Sequence, residues 1–424
     1  MKPSTRTRAA IVAASACAAA ALALPARAAD AEADALSLQS APEKPAESAP
    51  GARVSIEGAI GRGWNRYESG SDTLRRLSID LYWSTRLDAR WRLQVSNRLD
   101  VLRPQTDASA TNSLRELYVG WQDASGGWAF DAGRINLRQG PALAYNPTDF
   151  FRDGSIRVAT TVNPLLVREY RLGSVMLRGQ RLWSGGSVSL AVSPKLESEP
   201  SRAGASADLG STNNRNRAMV SLGTQWSDKV STQLHLYQEN GSRRQLGASV
   251  SALASDSTVV FAEAATGREP SLLDRAGGSS TLTRAGRVAA GLTYTTPTRL
   301  SLTAELEHNG FAARRSDLRA LAATRPATFA AYLLGAERDQ DIAARRAVAL
   351  HAKQTDAGMR NLDLTAFVRW NTEDHSALTW IELRRRYTGF DVAAQWLRYS
   401  GERGTVFGST PYRTSFQLLA TAYF

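Results

Sequence analysis

Cysteine occurs once in the 424 residues, at Cys17, and lysine only at Lys2, Lys44, Lys195, Lys229 and Lys353. A single cysteine excludes an internal disulfide framework and any cysteine-built zinc site. The four histidines, His235, His308, His351 and His375, fall in different segments with no repeated ligand spacing, so no metal and no cofactor is expected. No apolar run is long enough for a membrane-spanning helix: the longest, Ala9 to Leu24, is about 16 residues against the roughly 18 to 20 required. The formal charge of +12 rests on arginine. In an exported chain that charge argues against nucleic acid as a partner.

Export is read from the first 28 residues. Lys2, Arg6 and Arg8 precede the apolar run, Ala26-Arg27-Ala28 offers a small-x-small cleavage site, and no acidic residue stands before Asp30. This is the pattern of a cleaved secretory signal peptide, residues 1–28. A lipoprotein reading of Cys17 is disfavoured because the apolar run continues beyond it and no leucine stands three positions earlier. Removal of 1–28 leaves a chain of about +8 without cysteine. Residues 29–52 hold five carboxylates and three prolines with almost no large apolar side chain, so they read as a disordered periplasmic lead-in.

From Arg53 to Phe424 the dominant signal is a period of two. The last segment shows it plainly: Tyr412, Thr414, Phe416, Leu418, Ala420, Ala422 and Phe424 alternate with Arg413, Ser415, Gln417, Thr421 and Tyr423. Similar apolar faces are Leu77, Ile79, Leu81 and Trp83; Leu300, Leu302, Ala304 and Leu306; and Leu362, Leu364, Ala366 and Val368. Their opposite faces carry Arg76, Asp80, Glu305, Glu307, Asp363 and Arg369. A soluble sandwich would bury those charges or expose the aliphatic bands, so the pattern points to strands with hydrocarbon on one side and water on the other. About 18 such segments are found, within a range of 16–18, because those near 168–182, 257–266 and 376–387 do not alternate cleanly. Tight links such as Leu87-Asp88-Ala89 and Ser184-Gly185-Gly186 alternate with longer ones near 137–167, 195–214, 267–282, 310–343 and 401–410. The expected fold is an all-β, transmembrane antiparallel barrel over 53–424, with short periplasmic turns and longer extracellular loops.

Tryptophan placement agrees with a barrel. Trp83, Trp91, Trp121, Trp128, Trp183 and Trp226 fall at segment ends beside tight turns, and Trp64, Trp370, Trp380 and Trp396 near the ends beside the longer links. Indole prefers the headgroup zone, so these positions predict two aromatic girdles.

The terminal Phe424 on such a strand resembles the closing strand of bacterial outer-membrane barrels. The resemblance implies that Phe424 is an assembly signal, with the barrel assembly machinery and outer-membrane lipid as partners. The stretch Asp131 to Asp153, with Gly133-Arg134, Gly140 and Asn146-Pro147-Thr148-Asp149-Phe150, resembles a pattern of the porin-like and alginate-export-like barrels of proteobacteria. Arg138, Asp149, Arg152, Asp153 and Arg157, in the loop to which this stretch belongs, either fold into the lumen as a constriction or belong to an ordered extracellular loop. The loop 310–343 holds two alanine- and leucine-rich pieces, around Ser316–Thr324 and Pro326–Leu334; Pro326 and the spacing of Phe329, Leu333 and Leu334 allow a short helix that caps the pore or packs on its rim.

Arg76, Arg92, Arg98, Arg217, Arg369, Arg384, Arg386 and Arg413 fall on expected lumen faces, with Asp80, Asp100, Glu116, Glu305 and Glu307 among them. Arginine forks bind carboxylate and phosphate, so the reading is a porin-like channel passing small anionic solutes. The alternatives are an anionic polysaccharide export pore, which the alginate-export-like resemblance implies, and a non-conducting scaffold. An outer-membrane enzyme is disfavoured, since no motif marks a nucleophilic serine. Residues 29–52 are too short for the folded plug of a TonB-dependent receptor. Monomer and trimer remain equally open.

Overall fold

The computed structural model describes residues 51–103, 109–240 and 243–424. The expected signal peptide and most of the expected lead-in, within residues 1–50, lie outside the described residues. The strands are β1 Gly51–Asn65, β2 Ser71–Arg86, β3 Trp91–Leu102, β4 Ser109–Gln122, β5 Trp128–Ile135, β6 Ser174–Trp183, β7 Gly186–Ser193, β8 Arg217–Ser227 and β9 Val230–Glu239. They continue as β10 Arg243–Ser255, β11 Thr258–Pro270, β12 Leu282–Thr295, β13 Leu300–Asn309, β14 Arg346–Gln354, β15 Leu362–Asn371, β16 Ala377–Arg386, β17 Phe390–Ser400 and β18 Tyr412–Tyr423. β1 begins two residues inside the stretch read as lead-in, because Gly51 and Ala52 already pair with Ser84 and Trp83 of β2.

Every strand pairs antiparallel with its neighbours in sequence, and β1 closes the ring on β18 from Ser55↔Tyr423 to Trp64↔Thr414. The Phe424 N–H donates to the Val54 carbonyl at 2.9 Å and the Val54 N–H to the Phe424 carbonyl at 3.2 Å. No sheet edge is left, which is the condition for strands to sit in hydrocarbon. Alternation sorts the two faces. Leu77, Leu302, Leu306, Leu350, Leu364 and Leu418 are exposed outward, whereas Ser78, Arg98, Asp100, Glu305 and Glu307 are buried within the ring.

The three segments without clean alternation share one cause. Residues 136–173, between β5 and β6, run inside the barrel and cover parts of its inner wall with apolar groups. Phe261 on β11 packs on Ala142 and Tyr145 of this inner segment. Trp380 and Phe367 pack where Ala144 and Val162 of the same segment meet the wall. Trp380 is therefore not part of the outer girdle: it points inward and is 2% exposed. Residues 168–173 belong to the inner segment, and β6 starts only at Ser174. Trp64, Trp83, Trp128, Trp183, Trp226 and Trp370 are outward and exposed.

Among the described residues five α-helices are formed: α1 Pro164–Glu169 within the inner segment, and α2 Leu209–Thr212, α3 Leu272–Ala276, α4 Arg315–Thr324 and α5 Pro326–Arg338 in the loops at the rim. α5 runs four residues beyond the expected Leu334. Ser271 caps α3 through a reciprocal bond with Asp274, and Pro326 opens α5 where its missing N–H costs nothing. Leu318, Leu321, Phe329 and Tyr332 pack on Leu272 and Ala312 as a small apolar cluster.

Face parity gives a direct test. Arginine in place of Leu302 or Leu364, both outward, should destabilise the barrel by about 2–4 kcal/mol in a lipid refolding titration, while Ser301→Arg, facing inward, should be tolerated. Equal effects at Ser301 and Leu302 would overturn the face assignment.

Candidate passage and its inner segment

The inner segment is rich in Gly, Pro, Asn and Asp, which form turns and compete with a strand ladder. Gly140 has φ +83, and a Cβ there would collide with the Glu263 carboxylate, so only glycine lets the chain approach the opposite wall. The wall carboxylates hold the chain there. Glu305 on β13 accepts the N–H groups of Leu143 at 2.9 Å, Ala144 at 3.2 Å and Tyr145 at 2.8 Å. Glu263 on β11 accepts the Ala142 and Thr148 N–H groups at 3.0 Å and the Thr148 hydroxyl at 2.6 Å. A buried carboxylate and buried loop amides each require partners, and here they satisfy one another. Phe150 stacks on Tyr237 with centroids 4.9 Å apart, and Phe151 joins Ile135, Met176 and Met219 in the same apolar cluster.

Of the five loop residues singled out from the sequence, Asp149 and Arg152 are buried inside. Asp149 pairs with Arg171 at 2.8 Å and Arg152 with Asp341 at 2.7 Å. Arg138 is half-buried in the same segment. Asp153 and Arg157 instead grip the neighbouring extracellular loop: Asp153 meets Arg215 at 3.3 Å, and Arg157 donates to the Ala203 carbonyl at 2.7 Å.

The eight arginines separate into groups. Arg76, Arg98, Arg384 and Arg386 line a cavity of about 360 Å³ that lies beneath α1, between the walls β1–β4 and β14–β18. Arg92 faces inward at the turn end and pairs with Asp131 at 3.0 Å, away from that cavity. Arg217 is sealed: it donates to Ser174 Oγ at 2.7 Å and lies 4.6 Å over the Phe151 ring. Arg369 holds the inner segment, donating to the Ala144 carbonyl at 2.7 Å and pairing with Glu307 at 2.9 Å. Arg413 is exposed at a β-bulge, where Trp64 and Asn65 face Thr414 and Tyr412, so simple parity does not place it in the cavity.

Among the cavity residues that were not singled out from the sequence are Arg115, Glu57 and Tyr170. Arg115 is buried and pairs with Asp80 at 2.5 Å. A bulge sets Ser96 against Glu116 and Asn97 against Leu114, so Arg115 and Glu116 both turn inward, which alternation forbids. Two adjacent charges within an otherwise alternating strand are the signal that marks this break. Glu57 joins Arg76 at 2.5 Å and Arg98 at 3.2 Å. Tyr170 lies under Arg98, 4.4 Å from its guanidinium carbon to the ring centroid, which fixes α1 over the charged wall.

His235 and Ser221 are within 2.8 Å, and neither is open to the cavity: both are buried, with Phe150 beside the imidazole.

One carboxylate ties the inner segment to the rim. Asp341, from the loop between β13 and β14, accepts Arg152 at 2.7 Å, Arg287 at 2.9 Å and the Tyr145 hydroxyl at 2.9 Å. Burial pushes its carboxyl up, but Arg287 and Arg152 outweigh that and hold it well below the usual carboxylate range. A depressed value means the tie is fully present above the ordinary carboxylate range and is lost only as pH falls through the lowered value. Amide protection factors of 150–152 and 341–343, beside the Arg152–Asp341 pair, should therefore stay constant from pH 7 to about 4. Asp341→Asn should lower protection at pH 7 by about 3 kcal/mol, because it leaves buried guanidinium uncompensated. Unchanged protection in that variant would overturn the tie.

No known family profile and no curated protein matches the sequence. Solved structures match its fold. Pseudomonas aeruginosa OccK5 (OpdH) aligns with a TM-score of 0.54 at 9% identity, covering 88% of this chain and 97% of that one. Pseudomonas aeruginosa OpdQ aligns at 0.53 and 10% identity, covering 88% and 98%. Pseudomonas aeruginosa OccK2 (OpdF), solved in complex with glucuronate, aligns at 0.51 and 9% identity, covering 88% and 97%. At these identities the likeness is one of fold: the chain shares the closed antiparallel barrel of these proteins.

Proposed function

We propose that the protein is an outer-membrane channel for small solutes bearing a carboxylate or similar anion. The observation that supports it is the cavity beneath α1, with Arg53, Arg76, Arg98 and Arg115 on one wall and Lys353, Arg384 and Arg386 on the other. Its volume of about 360 Å³ suits a small molecule. Carboxylates including Glu57, Asp80, Glu382 and Asp391 interleave with these cations, so preference arises from where unpaired N–H groups point rather than from net charge. Arg115 lines the cavity, and its Nε and Nη1 are buried without a hydrogen-bond partner, so the cation at this point of the wall is only partly compensated by Asp80. That a barrel of this fold holds glucuronate, a carboxylate sugar, agrees with the reading.

The inward part of residues 138–157, with Arg138, Asp149 and Arg152, acts as the constriction, while Asp153 and Arg157 anchor its end to the neighbouring loop. An inner segment across the lumen makes the anionic polysaccharide route the weaker reading, since a polymer needs a continuous bore. The scaffold reading leaves the charged cavity without a role. The buried Ser221–His235 pair gives a substrate no access, so the protein is read as a non-enzyme. Phe424 acts as the assembly signal, and the barrel assembly machinery is the partner that reads it.

In planar bilayers the protein should open with a reversal potential favouring anions under a KCl gradient. That preference should weaken as the Debye length falls from about 30 Å at 0.01 M salt to about 3 Å at 1 M. Arg384→Gln with Arg386→Gln should move the potential towards cations without unfolding the barrel. Cation preference in the unaltered protein would overturn the anion reading. Deleting 138–157 should raise unit conductance more than deleting 310–343, and unchanged conductance would remove the constriction role.

A further inference from the structure

The outward face carries a second, separate charge cluster. Arg268 of β11 and Arg284 of β12 stand directly opposite one another in register. Arg244 of β10 lies one residue beyond the Gln245↔Gly267 pair, beside Arg268. All three are exposed on the outer surface near the loop ends of their strands. Like charges facing across a strand pair destabilise a sheet, and none of the three has a hydrogen-bond or ion-pair partner among the described residues. Of the other outward arginines near the same rim, Arg62 donates to Ser71 at 2.6 Å and Arg346 to Glu373 at 3.3 Å, while Arg75 and Arg398 stand on strands far from this cluster.

Directly below the three guanidiniums the surface becomes aliphatic and shallow. Leu246 pairs with Thr266, and Thr266 with Gly286, where no side chain stands. The resulting groove, about 830 Å³, is flanked by Leu236 and Leu246, which are 59% and 55% exposed. A ligand for this place needs an anionic head for the arginines and a hydrocarbon tail for the groove.

We propose that Arg244, Arg268 and Arg284 bind the phosphate of a phosphorylated lipid of the outer leaflet, with an acyl chain lying in the groove below. Guanidinium forks match phosphate oxygens in pairs, and a headgroup at this height supplies the counter-charge that the protein omits. The site depends on the membrane orientation of the barrel and not on conduction, so failure of the channel reading in bilayers would leave it standing.

The test is native mass spectrometry of the refolded full-length barrel in detergent, with bis-phosphorylated lipid A, its dephosphorylated form and inorganic phosphate as separate probes. The unaltered protein should retain bis-phosphorylated lipid A, and the combined Arg244→Gln, Arg268→Gln and Arg284→Gln variant should lose affinity on the order of 100-fold. Arg181→Gln with Arg385→Gln, at the opposite membrane face, should retain it. If the triple variant does not give a heat-modifiable barrel, Arg268→Gln alone should weaken binding about fivefold. Equal retention by the arginine variants, equal binding of the dephosphorylated lipid, or full displacement by millimolar inorganic phosphate would each overturn the proposal.

Discussion

Hydrocarbon offers backbone amides no hydrogen-bond partner, and the rest of this structure follows from that constraint. Eighteen strands satisfy one another only if the first meets the last, which the β1–β18 register and the reciprocal bonds between Val54 and Phe424 achieve. Closure then sorts every strand into an outer and an inner face. The outer face needs aliphatic side chains without charge, and the inner face is free to hold charge at high density.

Charge on the inner face creates the next requirement. Glu263 and Glu305 are almost fully buried, and neither is neutralised by an arginine of its own strand. The amides of residues 142–148 fill that role, and the apolar ring faces of Phe150 and Phe151 fill the space beside them. The inner segment is thus held by the wall it crosses, and Asp341 locks it from above through Arg152 and Arg287. What remains open beneath α1 is a charged cavity in which cations and carboxylates alternate.

Much of this was legible in the chain. The strand faces around Leu77, Leu302 and Leu364, the side of the turns and the inward positions of Arg76, Arg98, Arg384 and Arg386 all follow from a period of two. The misplacements have a common physical origin in local departures from that period. The bulge at Arg115 and Glu116 brought in a cavity residue that alternation places outside, and the bulge at Arg413 set aside one that alternation places inside. Trp380 was misread for a different reason: an inward tryptophan is stable only because the inner segment covers it, and that cover comes from more than 200 residues away in sequence.

The sequence by itself determined the barrel, since a side-chain period is a local property that each strand displays without reference to its partners. Its turn residues also determined where the strands end, because glycine and aspartate act within a few bonds. Only the tertiary structure decided what fills the lumen. Whether 136–173 lies inside depends on Glu263 and Glu305 meeting its amides across the barrel, and nothing local to either stretch encodes that meeting. The same holds for the three outward arginines: Arg244, Arg268 and Arg284 are scattered over 41 positions and become one cluster only when strands β10, β11 and β12 are set in register.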